Sequence, residues 1–188
     1  MTLVPITPEQ YGVDIDLVYA TDRNITGRAI YARALCYLHA DTATLLHRAA
    51  ELAAGIGLRL TILDAFRPAE AQWVLWHHLP DPDYIADPRR GSPHSMGAAV
   101  DLTLSDAATG AALEMGTGFD DMRAQSWHGD TSVPAPAQRN RLLLLGVMTA
   151  AGFDFYQREW WHYQLFNPRG RYPVLSDSVL SPGLMPRT

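Results

Sequence analysis

The sequence predicts an α+β fold in one domain. Two segments carry apolar residues at helical spacing, and two others alternate or run apolar over the length of a strand. No repeat, linker or low-complexity block divides the 188 residues. A composition that is 47% hydrophobic and 19% charged, with aromatics spread along the chain, belongs to a folded globular protein of ordinary domain size.

The first forty residues alternate short apolar runs with turn signals, as in "VDIDLVYATDRNITGRAIY", where Asn24 and Gly27 break the pattern, so little helix is expected there. From Asp41, "DTATLLHRAAELAAG" offers a capping residue, apolar positions Leu45, Leu46, Ala49, Leu52 and Ala53, and Gly55 as a stop, which predicts a helix. "LRLTILDAF" alternates Leu58, Leu60 and Ile62 with polar or small residues, the period of a half-buried strand. Arg67 follows at a strand-to-helix junction, because Pro68 suits the first turn of a second helix, "PAEAQWVLWHHL". "PDPDYIADPRRG" reads as a loop and "AAVDLTL" as the next strand. After a loop from about residue 105 to 136, "AQRNRLLLLGVMTAAG" predicts a third helix ending near Gly152. "FDFYQREWWHYQLF" is aromatic and β-prone, and reads as a final strand with an irregularity. The tail from about residue 172 has no periodicity and is expected to be mobile.

Bulk properties limit the function. A net charge of −5 and a pI near 5.7 give no electrostatic footprint for nucleic acid or an anionic membrane. With neither a signal-like N-terminus nor a long apolar run, a cytoplasmic location is expected. A single cysteine, Cys36, rules out an intrachain disulfide and a thiolate metal cage, and reads as a small buried apolar residue. No heptad or apolar stripe marks an interface, so a homodimer is left open.

The stretch "SPHSMGAAVDLTL" sets His94 seven residues before Asp101, an odd spacing for two groups on one face of a strand. Gly97, able to take positive φ, would reverse the chain so that His94 reaches back toward Asp101. Asp101 sits between Val100 and Leu102 in a run that should be buried, where a carboxylate needs a cation or strong hydrogen bonds. Two imidazoles and a carboxylate can hold zinc and leave a position for water. The second imidazole is best supplied by His162 of "EWWH", with Glu159 three positions before it. The remaining histidines, 39, 47, 77, 78 and 128, read as surface or satisfied core residues. Arg67 has two readings from spacing alone, a surface salt bridge with Asp64 or a functional cation. Asp120, Tyr19 and Ser92 taken singly are a loop acid, a core aromatic and a turn residue.

"SPHSMGAAVD" and "EWWH" resemble the S-x-H-x-x-G-x-A-x-D and E-x-W-H signatures of the D-alanyl-D-alanine dipeptidase branch of the zinc DD-peptidases, peptidase family M15. "VYATDRNITGR", "LDAFRPAEAQ" and "MGTGFDDM" are similar to that branch's other blocks and stand in the same order, from about residue 13 to 166. The resemblance implies a small antiparallel sheet flanked by helices in a DD-peptidase/hedgehog-like zinc fold. It implies one zinc ion held by His94, Asp101 and His162, Glu159 as catalytic base, and Arg67 as the cation facing the tetrahedral oxyanion. It implies a small dipeptide substrate, with Asp120 and Tyr19 meeting the ammonium and Ser92 the carboxylate. The segment between the Arg67 helix and Ser92 reads as shorter than in the resistance enzymes of that branch. Two alternatives stand beside this reading: a peptidoglycan carboxypeptidase or endopeptidase of the same fold, and a non-catalytic zinc-binding module.

Overall fold

The computed structural model describes residues 3–187. In chain order the elements are β1 (Leu3–Pro5), α1 (Pro8–Tyr11), β2 (Asp14–Ile15), β3 (Tyr37–His39), α2 (Ala40–Ala54), β4 (Leu58–Asp64), α3 (Ala69–His78), β5 (Ala99–Asp106), α4 (Ala135–Ala151), β6 (Asp154–Phe155) and β7 (His162–Gln164). The main sheet has the order β2-β4-β5-β7-β6, antiparallel except for the β2–β4 pair, and β1 pairs with β3 in a separate small sheet. The fold is α+β. Among the described residues, no helix is long and apolar enough to cross a membrane.

Strand periodicity decides where the chemistry sits. Leu60 and Ile62 of β4 and Val100, Leu102 and Leu104 of β5 form one core cluster with Leu46, Ala49 and Ala53 of α2 and Leu144, Val147 and Met148 of α4. Side chains alternate along a strand, so Asp101 faces away from Val100 and Leu102, on the side of the sheet that α2 and α4 do not cover. In β4 the register shifts between Ile62 and Asp64, and the shift sets Asp64 opposite Asp101 across the strand pair. On the other edge of β5, Asp101 is directly opposite His162 of β7.

Several local expectations are corrected. The cap of α2 is the ring of His39, which accepts from the Asp41 N–H at 3.2 Å, so Asp41 sits inside the first turn. Gly55 does end α2, as expected, but as a cap that keeps a right-handed φ of −61°, and the positive φ of the turn into β4 falls at Gly57, φ 76°. Pro68 precedes α3 as its cap and lies outside its first turn. The aromatic segment 153–166 is a hairpin of two very short strands, with residues 156–161 as the connecting turn. The tail, expected to be mobile, lies against the body. Leu184 is 0% exposed in a cluster with Tyr19, Phe66 and Leu75, and its carbonyl accepts from the Ala32 N–H at 2.8 Å. Sequence periodicity does not register a segment that docks through one buried side chain and a few backbone bonds.

Candidate metal centre

His94 lies in a short 3₁₀ turn, His94–Met96, just before β5. Gly97 closes that turn at φ 66°, its N–H donating to the His94 carbonyl at 2.9 Å, and returns the chain into the strand. His94 Nδ1 bonds the Ala65 carbonyl at 2.8 Å, and a carbonyl can only accept, so Nδ1 carries the proton and Nε2 is a bare lone pair. His162 is fixed the same way from the other side: Nε2 bonds Gln164 Oε1 at 3.0 Å, which leaves Nδ1 bare. The two bare nitrogens are 3.1 Å apart, and Asp101 Oδ1 lies 3.3 Å from the first and 3.1 Å from the second. The three donor atoms fall within 4.8 Å of one another, and all three residues are buried.

Two lone pairs and a carboxylate oxygen facing each other in a dry site repel unless a cation lies among them. A proton can satisfy one such pair, whereas a divalent ion accepts all three. The residues present therefore fit a metal ion. Burial opposes the charge of Asp101, but His94 and His162 more than offset this and hold its carboxyl well below the usual range. The same facing carboxylate would otherwise draw a proton onto His162 Nδ1: burial opposes the charged ring, and the bond it would then make to Asp101, with that group's charge, raises it.

Glu159 sits in the turn before β7, its N–H on the Tyr156 carbonyl at 3.2 Å and its carboxylate 3.9 Å from His162 Nδ1. Burial pushes its carboxyl up to about 8, with His162 acting against the shift. The turn is clamped from behind. Trp160 N–H bonds the Ser126 carbonyl, Gln157 Nε2 bonds the His128 carbonyl, and the Arg141 guanidinium of α4, fixed on the Met115 and Gln125 carbonyls, lies 5.8 Å over the Trp160 ring.

Arg67 combines both of its sequence readings. It does pair with Asp64, through Nε at 2.9 Å, but the pair is buried rather than at the surface. Its Nη1 bonds Gln72 Oε1 at 3.1 Å, Nη2 approaches Asp101 Oδ2 at 3.5 Å, and the guanidinium lies 4.8 Å over the Tyr19 ring. Asp64 and Asp101 are cross-strand neighbours, so without this cation two buried carboxylates would oppose each other. Nη2 also lies 2.8 Å from Asp64 Oδ2, so of the five guanidinium hydrogens only one, on Nη1, has no protein acceptor among the described residues.

Tyr19 Oη donates to Asp120 Oδ1 at 3.0 Å, while Asp120 Oδ2 is buried with no partner. Asp120 also has φ 60°, a strained backbone for a residue with a side chain. Burial pushes its carboxyl up to about 7, against the pull of Arg67. Ser92 Oγ accepts from the His94 N–H at 3.3 Å, so its own hydrogen is free to donate. All eight residues singled out from the sequence, Tyr19, Arg67, Ser92, His94, Asp101, Asp120, Glu159 and His162, line one cavity of about 290 Å³. The loop from Pro82 to Asp87 forms part of its wall.

Sequence reasoning passed over Gln72, Gln164 and Arg141, which hold Arg67, His162 and the Glu159 turn. One of its two readings of Arg67 set the Asp64 pair at the surface, whereas Asp64 is fully buried. Gln164 had a readable signal, two residues after His162 on the same strand face; the others depend on tertiary contacts. His128 is a core residue, packed on Phe155 and Tyr163 and lowered to about 4 by burial and then by Arg141. Cys36 is buried, and burial raises its thiol far above the ordinary range.

Three inward donors beside a buried carboxyl, in a small cavity reached by a guanidinium, are a residue set that fits metal-assisted hydrolysis. Comparison with known proteins narrows the class. Residues 2–176 match the family model described as D-ala-D-ala dipeptidase. The chain is 48% identical over 174 residues to a D-alanyl-D-alanine dipeptidase of Escherichia coli K12, covering 91% of this chain and 89% of the relative. It is 33% identical over 175 residues to one from Enterococcus faecium, covering 82% and 87%, and 34% identical over 184 residues to one from Streptomyces coelicolor, covering 82% and 86%. The chain belongs to the D-ala-D-ala dipeptidase family of peptidases.

Proposed function

We propose that the protein is a zinc-dependent dipeptidase that hydrolyses D-alanyl-D-alanine to two D-alanines. The relatives' names support the substrate, and one observation in this chain carries it: the unpartnered, buried Oδ2 of Asp120 in the same small cavity as the metal donors. A lone anionic acceptor there calls for a cation, and a free dipeptide brings one as its ammonium group. The cavity's volume lies at the lower edge of ligand pockets, which run upward from about 300 Å³.

His94 Nε2, His162 Nδ1 and Asp101 Oδ1 would hold the zinc. When bound, the ion supplies Lewis acidity, polarising the scissile carbonyl and bringing a water's pKa down to about 7. Glu159 takes a proton from the attacking water and returns one to the leaving amine as the C–N bond breaks. The free Nη1 hydrogen of Arg67 meets the negative charge that develops on the carbonyl oxygen, held in place by Asp64 and Gln72. Asp120, oriented by Tyr19, holds the ammonium, and the Ser92 hydroxyl donates to the carboxylate. One zinc per chain, a small zwitterionic substrate and a cytoplasmic setting complete the proposal.

The test is a substrate pair. Zinc-loaded protein should hydrolyse D-Ala-D-Ala and leave its N-acetyl derivative nearly untouched, because an acylated amine would leave Asp120 buried without its cation. Comparable rates on both would overturn the dipeptidase reading in favour of a carboxypeptidase. Cleavage of neither, with zinc bound, would leave the non-catalytic module.

A further inference from the structure

The charges at the cavity rim do not cancel. Asp83 pairs with Arg158, and Asp87 with Arg89 at 2.7 Å. Arg90 and Arg169 also line the cavity, and among the described residues neither has a carboxylate partner. Arg169 is nevertheless held in place: its Nε donates to the Gly91 carbonyl at 3.1 Å, beside Ser92, and this leaves both Nη groups without a protein acceptor. Burial, and then the like charge of Arg90, lower the Arg169 guanidinium from its ordinary value. Both side chains reach solvent at the cavity mouth, where their unengaged N–H groups stand open to an anion entering the cavity.

We propose that Arg169 and Arg90 form an anion subsite that receives a carboxylate of the dipeptide's second residue, next to Ser92. The inference rests on the dipeptidase reading and deepens it. A hydroxyl alone gives a carboxylate one neutral donor, which is a weak exchange for its hydration. Guanidinium groups supply charge-assisted and bidentate donors. The Asp120 carboxylate does not serve this purpose: its Oδ1 is taken by Tyr19 and its Oδ2 meets neither guanidinium. The cavity then carries an anion for the ammonium and cations for the carboxylate, and so selects a zwitterion. Two sources share this chemistry: the α-carboxylate of any dipeptide, and the side chain of an acidic second residue.

The experiment is steady-state kinetics of the zinc-loaded protein on D-Ala-D-Ala, D-alanyl-D-alaninamide and D-alanyl-D-glutamate, for wild type, Arg169→Gln, Arg90→Gln and the double variant. If the α-carboxylate is received, the double variant raises KM for D-Ala-D-Ala about tenfold or more with kcat within about twofold, the scale of one charge-assisted hydrogen bond. The amide, already weak on wild type, is then unaffected. If the side chain is received, KM rises for D-alanyl-D-glutamate alone. Unchanged KM for all three substrates overturns the subsite. Should wild type cleave none of them, the dipeptidase reading fails separately. Calorimetric titration with D-Ala-D-Ala then decides the subsite: about tenfold weaker binding to the double variant supports it, while equal binding or none overturns it.

Discussion

His94 Nε2 and His162 Nδ1 face each other at 3.1 Å, while the other nitrogen of each ring is already engaged by the Ala65 carbonyl and by Gln164 Oε1. The rings cannot turn to present an N–H inward without losing those outer bonds. Replacing His94, Asp101 or His162 by Ala should therefore abolish stoichiometric zinc, measured by elemental analysis after dialysis. Full retention in any one variant removes that residue from the ligand set. Gln164→Leu should act more mildly and weaken zinc about tenfold, because it frees a ring without removing a donor.

Glu159→Gln should differ in kind from the ligand variants. It keeps the shape of the turn and all three donors, so zinc stays bound, while kcat falls by about 10²-fold or more for want of a base. Near-normal turnover with full zinc would refute the role given to Glu159.

Asp120 links function to stability, with a sign that can be worked out. Its folded pKa of about 7 lies above the ordinary value of 3.8, so between these two values the folded state holds a proton that the unfolded chain has released. Stability thus falls as pH rises from about 4 to about 7 and stays reduced above it. Asp120→Asn removes that loss. Its unfolding free energy should approach that of wild type near pH 4 and exceed it by pH 8, by an amount on the order of a few kcal/mol at most, with Tm moving in the same direction. The same variant should raise KM for D-Ala-D-Ala, and wild-type kcat/KM should fall as pH drops through about 7, because a neutral Asp120 no longer attracts an ammonium. A variant less stable than wild type at pH 8 would contradict this account.

Gly97→Ala tests the turn that delivers His94. At φ 66° a side chain costs about 1–3 kcal/mol from the backbone alone. A Cβ would also lie 2.8 Å from the His39 backbone nitrogen and 2.6 Å from Leu3 Cδ2. Thermal unfolding should show a large loss of Tm, with zinc affinity falling in parallel. A variant as stable as wild type would mean that the turn can relax.

The sequence made the long, strongly periodic elements legible. Helices α2 and α4 and strands β4 and β5 fall where apolar spacing puts them, because each buries a face against the others. The hairpin of β6 and β7 did not show itself, since strands of two and three residues are too short to display a period. The site residues were legible as types and motifs, and the structure brings all eight to one cavity. What held them was harder to see. Asp64 reads as a surface partner for Arg67 until the register shift in β4 turns it into the interior, and Gln72 counts only once α3 is folded back over the site.

The register that sets Asp101 opposite His162 also has a consequence for biosynthesis. Two of the three donors lie within one short stretch of chain, but the third belongs to the last strand of the sheet. A nascent chain offers a metal ion at most an incomplete grip until the ribosome has passed residue 162 and β7 has docked beside β5. Tight loading of the proposed ion would thereby wait until the fold is nearly finished, since an earlier grip would have only the donors of one short segment.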